Sequence, residues 1–482
     1  MTLRLTNFLI LAAVFCFGVA TLALLPPFEA FDEAEYWSVI QDDADTGVLP
    51  RLSEARVSQD AVAYPGPLPA SSGQPYAAYF AKKSAALAGP TRFVPSDVPN
   101  YEAQHPPLFF VLMRPVYRAA AGLNWPEHFF VLRLVNWIIA FAGFAIGALA
   151  TQGVLRRRGA SALWVPLAWP LMFPQFFEEF ARVTNDTLCL LIMGLVWWLL
   201  MTPGKWRGVG IGTLLGAGLL TKAFFLPVTL GVVALLAVVA WRQAVVVAVI
   251  AAALGGWWYV QAALSTGHVT GASDFIQARV HFSWDMPGLY LAGIFRMLLG
   301  FCWAGSWSFV HPARVLFLPV ILLFLLPYVF YARLVGRDLV ALAPVFVVAP
   351  VLAGLLYHLA VMVASTGIGG GTPGWFFHIF AGPLSLVLAL GWRRFCWPLV
   401  VYAGILDVAL AWMQAAFFSG CLPRVGQGAV DVLAATCVMD VDRLRFLTFP
   451  DVALVTFGLG LAALIGTVTF VKRRGWSGQA RP

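Results

Sequence analysis

With 482 residues, 60% of them hydrophobic and only 11% charged, and a mean hydropathy of +0.81, the chain is far more apolar than a soluble domain. Long continuous apolar runs, rather than short alternating ones, exclude an outer-membrane barrel and leave an all-α polytopic integral membrane protein. The net charge of +8 does not argue for a nucleic-acid partner, because the basic residues gather in short loops between apolar runs.

Leu5 to Leu25 is one apolar run behind Arg4. It is long for a signal-peptide core and lacks a small-residue cleavage site, which predicts an uncleaved first helix with a cytoplasmic N-terminus. Residues 26–127 then form a large exoplasmic loop. It opens on Pro26-Pro27-Phe28-Glu29-Ala30-Phe31-Asp32-Glu33-Ala34-Glu35-Tyr36-Trp37, a crowd of carboxylates at the membrane surface. Residues 49–95 are rich in Pro, Ser, Ala and Tyr with little periodicity and read as irregular. Pro106-Pro107 precede an apolar segment to Tyr117 that is too short to span a bilayer and predicts a juxtamembrane helix.

Further spans are expected at roughly 129–151, 161–180, 184–202, 208–221, 223–240, 244–262, 314–332, 339–363, 376–391, 395–417 and 451–471. Arg156-Arg157-Arg158, Lys205 with Arg207, Arg242, Arg333 with Arg337, Arg393-Arg394 and Lys472-Arg473-Arg474 fall at alternate turns. That alternation predicts about twelve helices with both termini cytoplasmic. It also makes 418–450 the last exoplasmic loop and leaves no separate soluble domain, so residues 1–482 read as a single transmembrane domain. Asp338 falls in a cytoplasmic turn and Asp407 inside a span; the other acids lie on or near the exoplasmic side. Any chemistry is therefore expected outside.

Of the six cysteines, Cys16, Cys189, Cys302 and Cys396 lie in or beside apolar spans and read as inert small hydrophobes. Cys421 and Cys437 share one loop, where a disulfide and two free thiols are equally open readings. No P-loop or dinucleotide fingerprint is present, so a nucleotide-activated donor from the cytoplasm does not fit. Asp32 and Glu33 supply what a transfer reaction at the membrane face needs, a carboxylate within reach of an acceptor hydroxyl. On that stretch alone, solvated acids capping a juxtamembrane helix explain the same residues. If the segment is helical, Asp32, Glu35 and Tyr36 share one face.

Five other stretches carry candidate groups. Tyr101-Glu102-Ala103-Gln104-His105 suits sugar hydroxyls, or is a capped surface helix. Around Arg182-Val183-Thr184-Asn185-Asp186, a helix cap accounts for much, but Arg182 at a helix start opposes the helix dipole. Thr221-Lys222 offers a cation to a lipid phosphate, or a snorkelling lysine. The aromatic run Phe301 to His311, with Trp303 and Trp307, suits sugar stacking, though an interfacial aromatic belt is commoner. The glycine-rich Gly369-Gly370-Gly371-Thr372-Pro373-Gly374-Trp375 approaches a ligand or simply turns.

Taken together and in this order, these residues resemble the GT-C superfamily of membrane glycosyltransferases, nearest the bacterial relatives of the protein O-mannosyltransferases and the lipid A aminoarabinose transferase. Asp32-Glu33 is similar to their acidic pair after the first helix. Tyr101-Glu102-Ala103-Gln104-His105-Pro106-Pro107-Leu108 is similar to their Y-E-A-H-Q-P-P-L with His and Gln exchanged. Asn185-Asp186-x-Leu188 and Leu219-Leu220-Thr221-Lys222 resemble their N-D-x-L and L-x-T-K elements. The likeness covers the first half of the chain in motifs and the second half in topology only. Tyr36 stands where relatives often carry His, and Pro373-Gly374-Trp375-Phe376 stands where many carry G-R-Y.

The resemblance implies an inverting glycosyltransferase (hexosyl- or pentosyltransferase) that moves a sugar from a polyprenyl-phosphate donor to an exoplasmic acceptor, whether glycolipid, polysaccharide or protein. It makes Asp32 the general base and Glu33 its helper. Tyr36, Tyr101, Glu102, Gln104, His105, Arg182, Asn185, Asp186 and Lys222 are the expected substrate-binding residues, with Arg182 and Lys222 on the phosphate. The expected location is the bacterial inner membrane with the active site on the periplasmic face. A divalent metal stays open as a cofactor: carboxylates alone can bind one, though no ligand set with metal spacing is visible. The rival reading is a polytopic lipid or glycan transporter or flippase, which calls for polar residues near the midplane, where this chain has few.

Overall fold

The computed structural model describes residues 2–52, 54–64, 88–267, 269–270, 283–307, 312–335, 339–370, 372–391, 397–421, 424–425, 429–430 and 438–473. Among these, eight helical stretches are long and apolar enough to cross a bilayer, and Asp186–Met201 and Met286–Cys302 are shorter apolar helices. The protein is a multi-pass helical membrane protein. His311, Arg337, Asp338, Gly371, Arg393, Arg394, Cys396, Cys437 and Arg474 lie outside the described residues; Cys421 is disulfide-bonded.

The first helix, Thr2–Leu24, pairs antiparallel with the last, Pro450–Arg473. The Phe449 N–H donates to the Ala23 carbonyl at 2.9 Å, and the rings of Phe17 and Phe457 lie 5.1 Å apart. The first helix also packs on Trp125–Arg157, to which Asn7 and Gln152 tie it through reciprocal amide hydrogen bonds of 2.6 and 3.0 Å. Trp125–Arg157 runs parallel to Asp186–Met201, because Thr187 meets Asn136 near one end and Arg157 meets the Met201 carbonyl at the other. Glycines permit this closeness: a Cβ on Gly143 or Gly194 would lie under 3 Å from the facing backbone.

Two parallel neighbours require the connection between them to run back the full length of the bundle. The expected span over 161–180 does so, but not as one helix. It breaks into turns and two short helices, Trp169–Met172 and Gln175–Phe180. Pro166, Pro170 and Pro174, four residues apart, each remove a backbone donor and clash with the preceding turn. Irregular backbone at this depth is tolerated only inside protein, and Val165, Leu167, Trp169, Met172, Phe173, Phe176 and Phe180 are all fully buried.

The expected spans 223–240 and 244–262 meet without a loop. Phe225–Ala251, Ala252–Gly256 and Trp257–Thr266 follow one another directly, with non-helical backbone at Ala240. A straight helix would separate Phe225 from Gly255 by about 45 Å. Yet Phe225 packs on Gly218 and Gly255 on Leu219, neighbours in Arg207–Leu219, so the chain reverses at Ala240. Arg207–Leu219 itself is about 20 Å long, too short to cross alone. Met286–Cys302 was not expected as a helix; its apolar run is interrupted by Arg296, which donates to the Gly369 carbonyl at 2.6 Å.

In the large loop, Glu33–Thr46 and Leu108–Ala119 are helices, the latter starting right after the two prolines as expected. The stretch expected to be irregular contributes an antiparallel ribbon, Arg56–Ser58 against Pro95–Pro99. The elbow between first helix and loop is fixed by Phe28, whose φ of 61° is strained for a bulky residue. Its ring is held among Trp37, Tyr64, Trp125 and Phe129, with centroids 4.7 to 5.7 Å away.

Candidate functional site

The segments with the candidate residues converge at one end of the bundle, away from Arg4 and Arg156. Three buried ion pairs and a histidine–carboxylate contact organise that end. Glu33, fully buried, receives Arg133 in a two-pronged pair, Nε to Oε1 at 2.8 Å and Nη2 to Oε2 at 2.5 Å, and its Oε1 also accepts the Val183 N–H at 3.1 Å. Arg133 in turn donates to the carbonyls of Leu25 and Pro26. Glu179 holds Arg182 at 2.6 and 2.7 Å, and Arg182 Nη1 reaches the Phe31 carbonyl at 2.7 Å. Asp186 holds Lys222 Nζ at 2.7 Å. His105 Nε2 lies 2.9 Å from Glu102 Oε2.

Asp32 stands apart. It occupies the N-cap position of Glu33–Thr46, where an Asp carboxylate usually accepts a hydrogen bond from the first helical turn. Its left-handed backbone, φ 61°, turns the carboxylate away, and no such bond forms. Its Oδ1 accepts the Tyr101 hydroxyl at 2.5 Å instead. Asp32 is half-buried and, among the described residues, has no ion-pair partner. Burial, and then the nearby Glu102, push its carboxyl above the ordinary range; Arg182, the Tyr101 bond and Lys222 pull the other way. Glu35, on the same helix, is pushed up to about 7 by burial and by Asp32.

Glu102 and Lys222 stay charged. Burial works against ionisation of Glu102, but His105 and Lys222 outweigh it and hold the carboxyl low. Burial likewise opposes the charge on Lys222, yet Asp186 raises it. Tyr36 donates its hydroxyl to Asn185 Oδ1 at 2.9 Å, and Asn185 Nδ2 donates to the Thr221 carbonyl, linking three sequence stretches in one file. Gln104 is partly buried on the short 3₁₀ turn Tyr101–Gln104.

An aromatic wall closes the cationic side. Phe31 stacks on Trp375, centroids 5.1 Å apart and planes within 14°, and meets Trp307 edge-on at 4.6 Å. The Arg182 guanidinium lies 5.4 Å from the Trp375 ring centroid, and Lys222 Nζ lies 4.6 Å from that of Phe376. The aromatic run after Met286–Cys302 and the glycine-rich turn thus reach the acidic stretch. Gly374 makes this possible, because a Cβ there would fall 1.9 Å from the Met297 carbonyl oxygen. Trp375 Nε1 and Thr372 Oγ1 are buried without a hydrogen-bond partner.

The structure brings Asp32, Glu33, Tyr36, Tyr101, Glu102, His105, Arg182, Asn185, Asp186 and Lys222 into one network. Sequence reasoning overlooked Arg133 and Glu179. Both carried a signal, since an ionisable residue inside an apolar stretch calls for a partner. Among the described residues no group of three or more His, Cys, Asp or Glu side chains has the arrangement of a metal site.

Fold and site define a multi-pass membrane protein with a buried ion-pair network and a half-exposed, unpaired carboxylate at one end of its helices. No family model and no curated protein matches the chain. Among solved structures it is similar to that of ArnT from Cupriavidus metallidurans bound to undecaprenyl phosphate, at 14% identity over 95% of this chain and 76% of that one, with a TM-score of 0.49.

Proposed function

We propose that the protein is an inverting glycosyltransferase that moves a sugar from a polyprenyl phosphate to an acceptor hydroxyl at the outer membrane face. The observation that carries this reading is the Asp32 carboxylate, half-exposed, without an ion-pair partner among the described residues, and set beside three buried ion pairs. In the reaction, the acceptor oxygen forms a bond to the sugar's C1 while Asp32 takes the hydroxyl proton. The bond from C1 to the phosphate oxygen breaks, and the electron pair leaves with the polyprenyl phosphate. A single displacement inverts C1.

Lys222 and Arg182 are the groups proposed to meet the growing phosphate charge. Each is already held by a carboxylate, so each is positioned before substrate arrives. The unpartnered donors Trp375 Nε1 and Thr372 Oγ1 lie on the turn that brings Trp375 against Arg182, available to ligand oxygens. Tyr101 orients Asp32; Tyr36, Glu102, Gln104, His105, Asn185 and Asp186 line or brace the sugar side. Glu33 takes a different part from the helper that the sequence suggests. Tied on both oxygens to Arg133, it is a positioning residue that fixes the loop start.

The test is mass spectrometry of envelope glycans and glycolipids from cells lacking the gene, with and without complementation. The expected result is one sugar mass that vanishes on deletion and returns with the wild-type gene, naming sugar and acceptor together. An unchanged glycan profile on deletion, with a lipid-linked sugar redistributed between leaflets, would point to the transporter instead.

A further inference from the structure

The opposite end of the bundle carries a second feature that glycosyl transfer does not use. Between the start of Thr2–Leu24 and the end of Trp125–Arg157 lies a cavity of about 520 Å³ lined by Leu3, Arg4, Asn7, Gln152 and Arg156. Its floor is rigid. Asn7 and Gln152 satisfy one another, and Gln152 Nε2 also donates to the Leu163 carbonyl at 2.9 Å. Its rim is cationic. Arg4 and Arg156 are exposed, and among the described residues neither has a hydrogen bond or an ion pair.

Among the described residues, no counter-charge comes from the elements packed around it. The sequence has no Asp or Glu in residues 1–28, 128–177, 187–273 or 452–482, which supply the first helix, Trp125–Arg157, the ends of its neighbours and the last helix. Arg157 and Arg158 follow on the same helix, and the last helix, antiparallel to the first, ends beside it at Arg473. Two unpaired guanidiniums over an amide floor, between two membrane helices at their ends, suit a phosphodiester. The apolar residues that continue both helices suit acyl chains.

We propose that this cavity binds the headgroup of an anionic phospholipid, with its phosphate between Arg4 and Arg156 and its glycerol side toward Leu3. A basic pocket at helix ends facing a negatively charged leaflet is a known setting for such recognition. Guanidinium groups hold phosphate oxygens in pairs, which favours a bound lipid over a diffuse attraction. The inference stands whether or not the site at the other end transfers sugars.

The experiment uses the full chain in phosphatidylcholine nanodiscs with and without phosphatidylglycerol. Retained lipid is counted by native mass spectrometry after release, and melting is followed in the same samples. Wild type is expected to retain phosphatidylglycerol and to melt higher with it. Arg4→Gln with Arg156→Gln is expected to weaken retention by about 30-fold, from two cations near a charged surface. Arg4→Lys with Arg156→Lys, which keeps both charges, is expected to retain the lipid in part. A photo-reactive phosphatidylglycerol on the wild-type protein is expected to label the peptides around Arg4 and Arg156, which keeps the idea testable even if the double variant does not fold. Unchanged retention by the Gln variant, or labelling elsewhere only, would overturn the site. Stabilisation by inorganic phosphate equal to that by the lipid would overturn the lipid as its source.

Discussion

The two ends of the helix bundle handle charge in opposite ways. At one end, Arg133, Arg182 and Lys222 are each buried against a carboxylate at 2.5 to 2.7 Å, and the chain brings those partners from far apart in sequence for Arg133 and Lys222. At the other, Arg4 and Arg156 face a cavity with no acid in the stretches that form it. Unpaired arginines at a helix end are cheap where water and lipid headgroups meet them. A buried cation without its partner is not, because desolvation costs several kcal/mol per ion. The first arrangement therefore records a demand for fixed charge geometry inside the protein, and the second a relation to the membrane. Asp32 belongs to the first end but has no ion-pair partner among the described residues, which suits it to the proton transfer proposed for it.

Perturbing the paired end has graded consequences. The largest loss is expected from Glu33→Gln, which leaves Arg133 buried and half-satisfied; folding stability should fall by about 3–5 kcal/mol. Thermal unfolding of the purified protein in detergent measures it, and a melting temperature within error of wild type would mean the pair is not structural. Next comes Lys222→Met. Transfer rate should drop by about 10²–10³-fold through loss of phosphate stabilisation, with a smaller fall in melting temperature from the stranded Asp186. A variant as fast as wild type would remove Lys222 from the leaving-group side.

The smallest effect concerns pH. In the role proposed for it, Asp32 would act as a base only when deprotonated, and burial with Glu102 holds its carboxyl above the ordinary range. The rate should therefore climb as pH rises through that raised value, at a higher pH than an exposed aspartate would give. Tyr101→Phe removes a hydrogen bond that favours the ionised form, so the acid limb should move further up, by less than about one pH unit. Movement in the other direction would mean that Tyr101 does not support the charged form of Asp32.

Much of this was legible in the chain because the relevant signals are local. The double proline before Leu108 marked the helix that starts there, and Arg242 marked the reversal that falls at Ala240. The acidic stretch, Tyr101 to His105, Arg182 to Asp186 and Lys222 each stood out by residue type, and the structure gathers them. Non-local facts were not legible. Nothing near Glu33 announces a partner 100 residues away in Arg133, so an acid beside the proposed base reads as its helper. Pro166, Pro170 and Pro174 were visible, but the apolar side chains around them outweighed them and suggested a continuous span. Met286–Cys302 was lost for the opposite reason, since Arg296 interrupted a run that the Gly369 carbonyl accommodates.

In the proposed mechanism two adjacent acids do different jobs: Asp32 moves a proton, and Glu33 holds the fold. It is tested most directly by measuring transfer and thermal unfolding on Asp32→Asn and Glu33→Gln side by side, in purified protein reconstituted with lipid-linked sugar and the acceptor that the envelope analysis names. Asp32→Asn is expected to lower the rate by about 10²–10⁴-fold while melting like wild type, and Glu33→Gln is expected to lower the melting temperature. Full transfer activity from Asp32→Asn present at wild-type levels would contradict it.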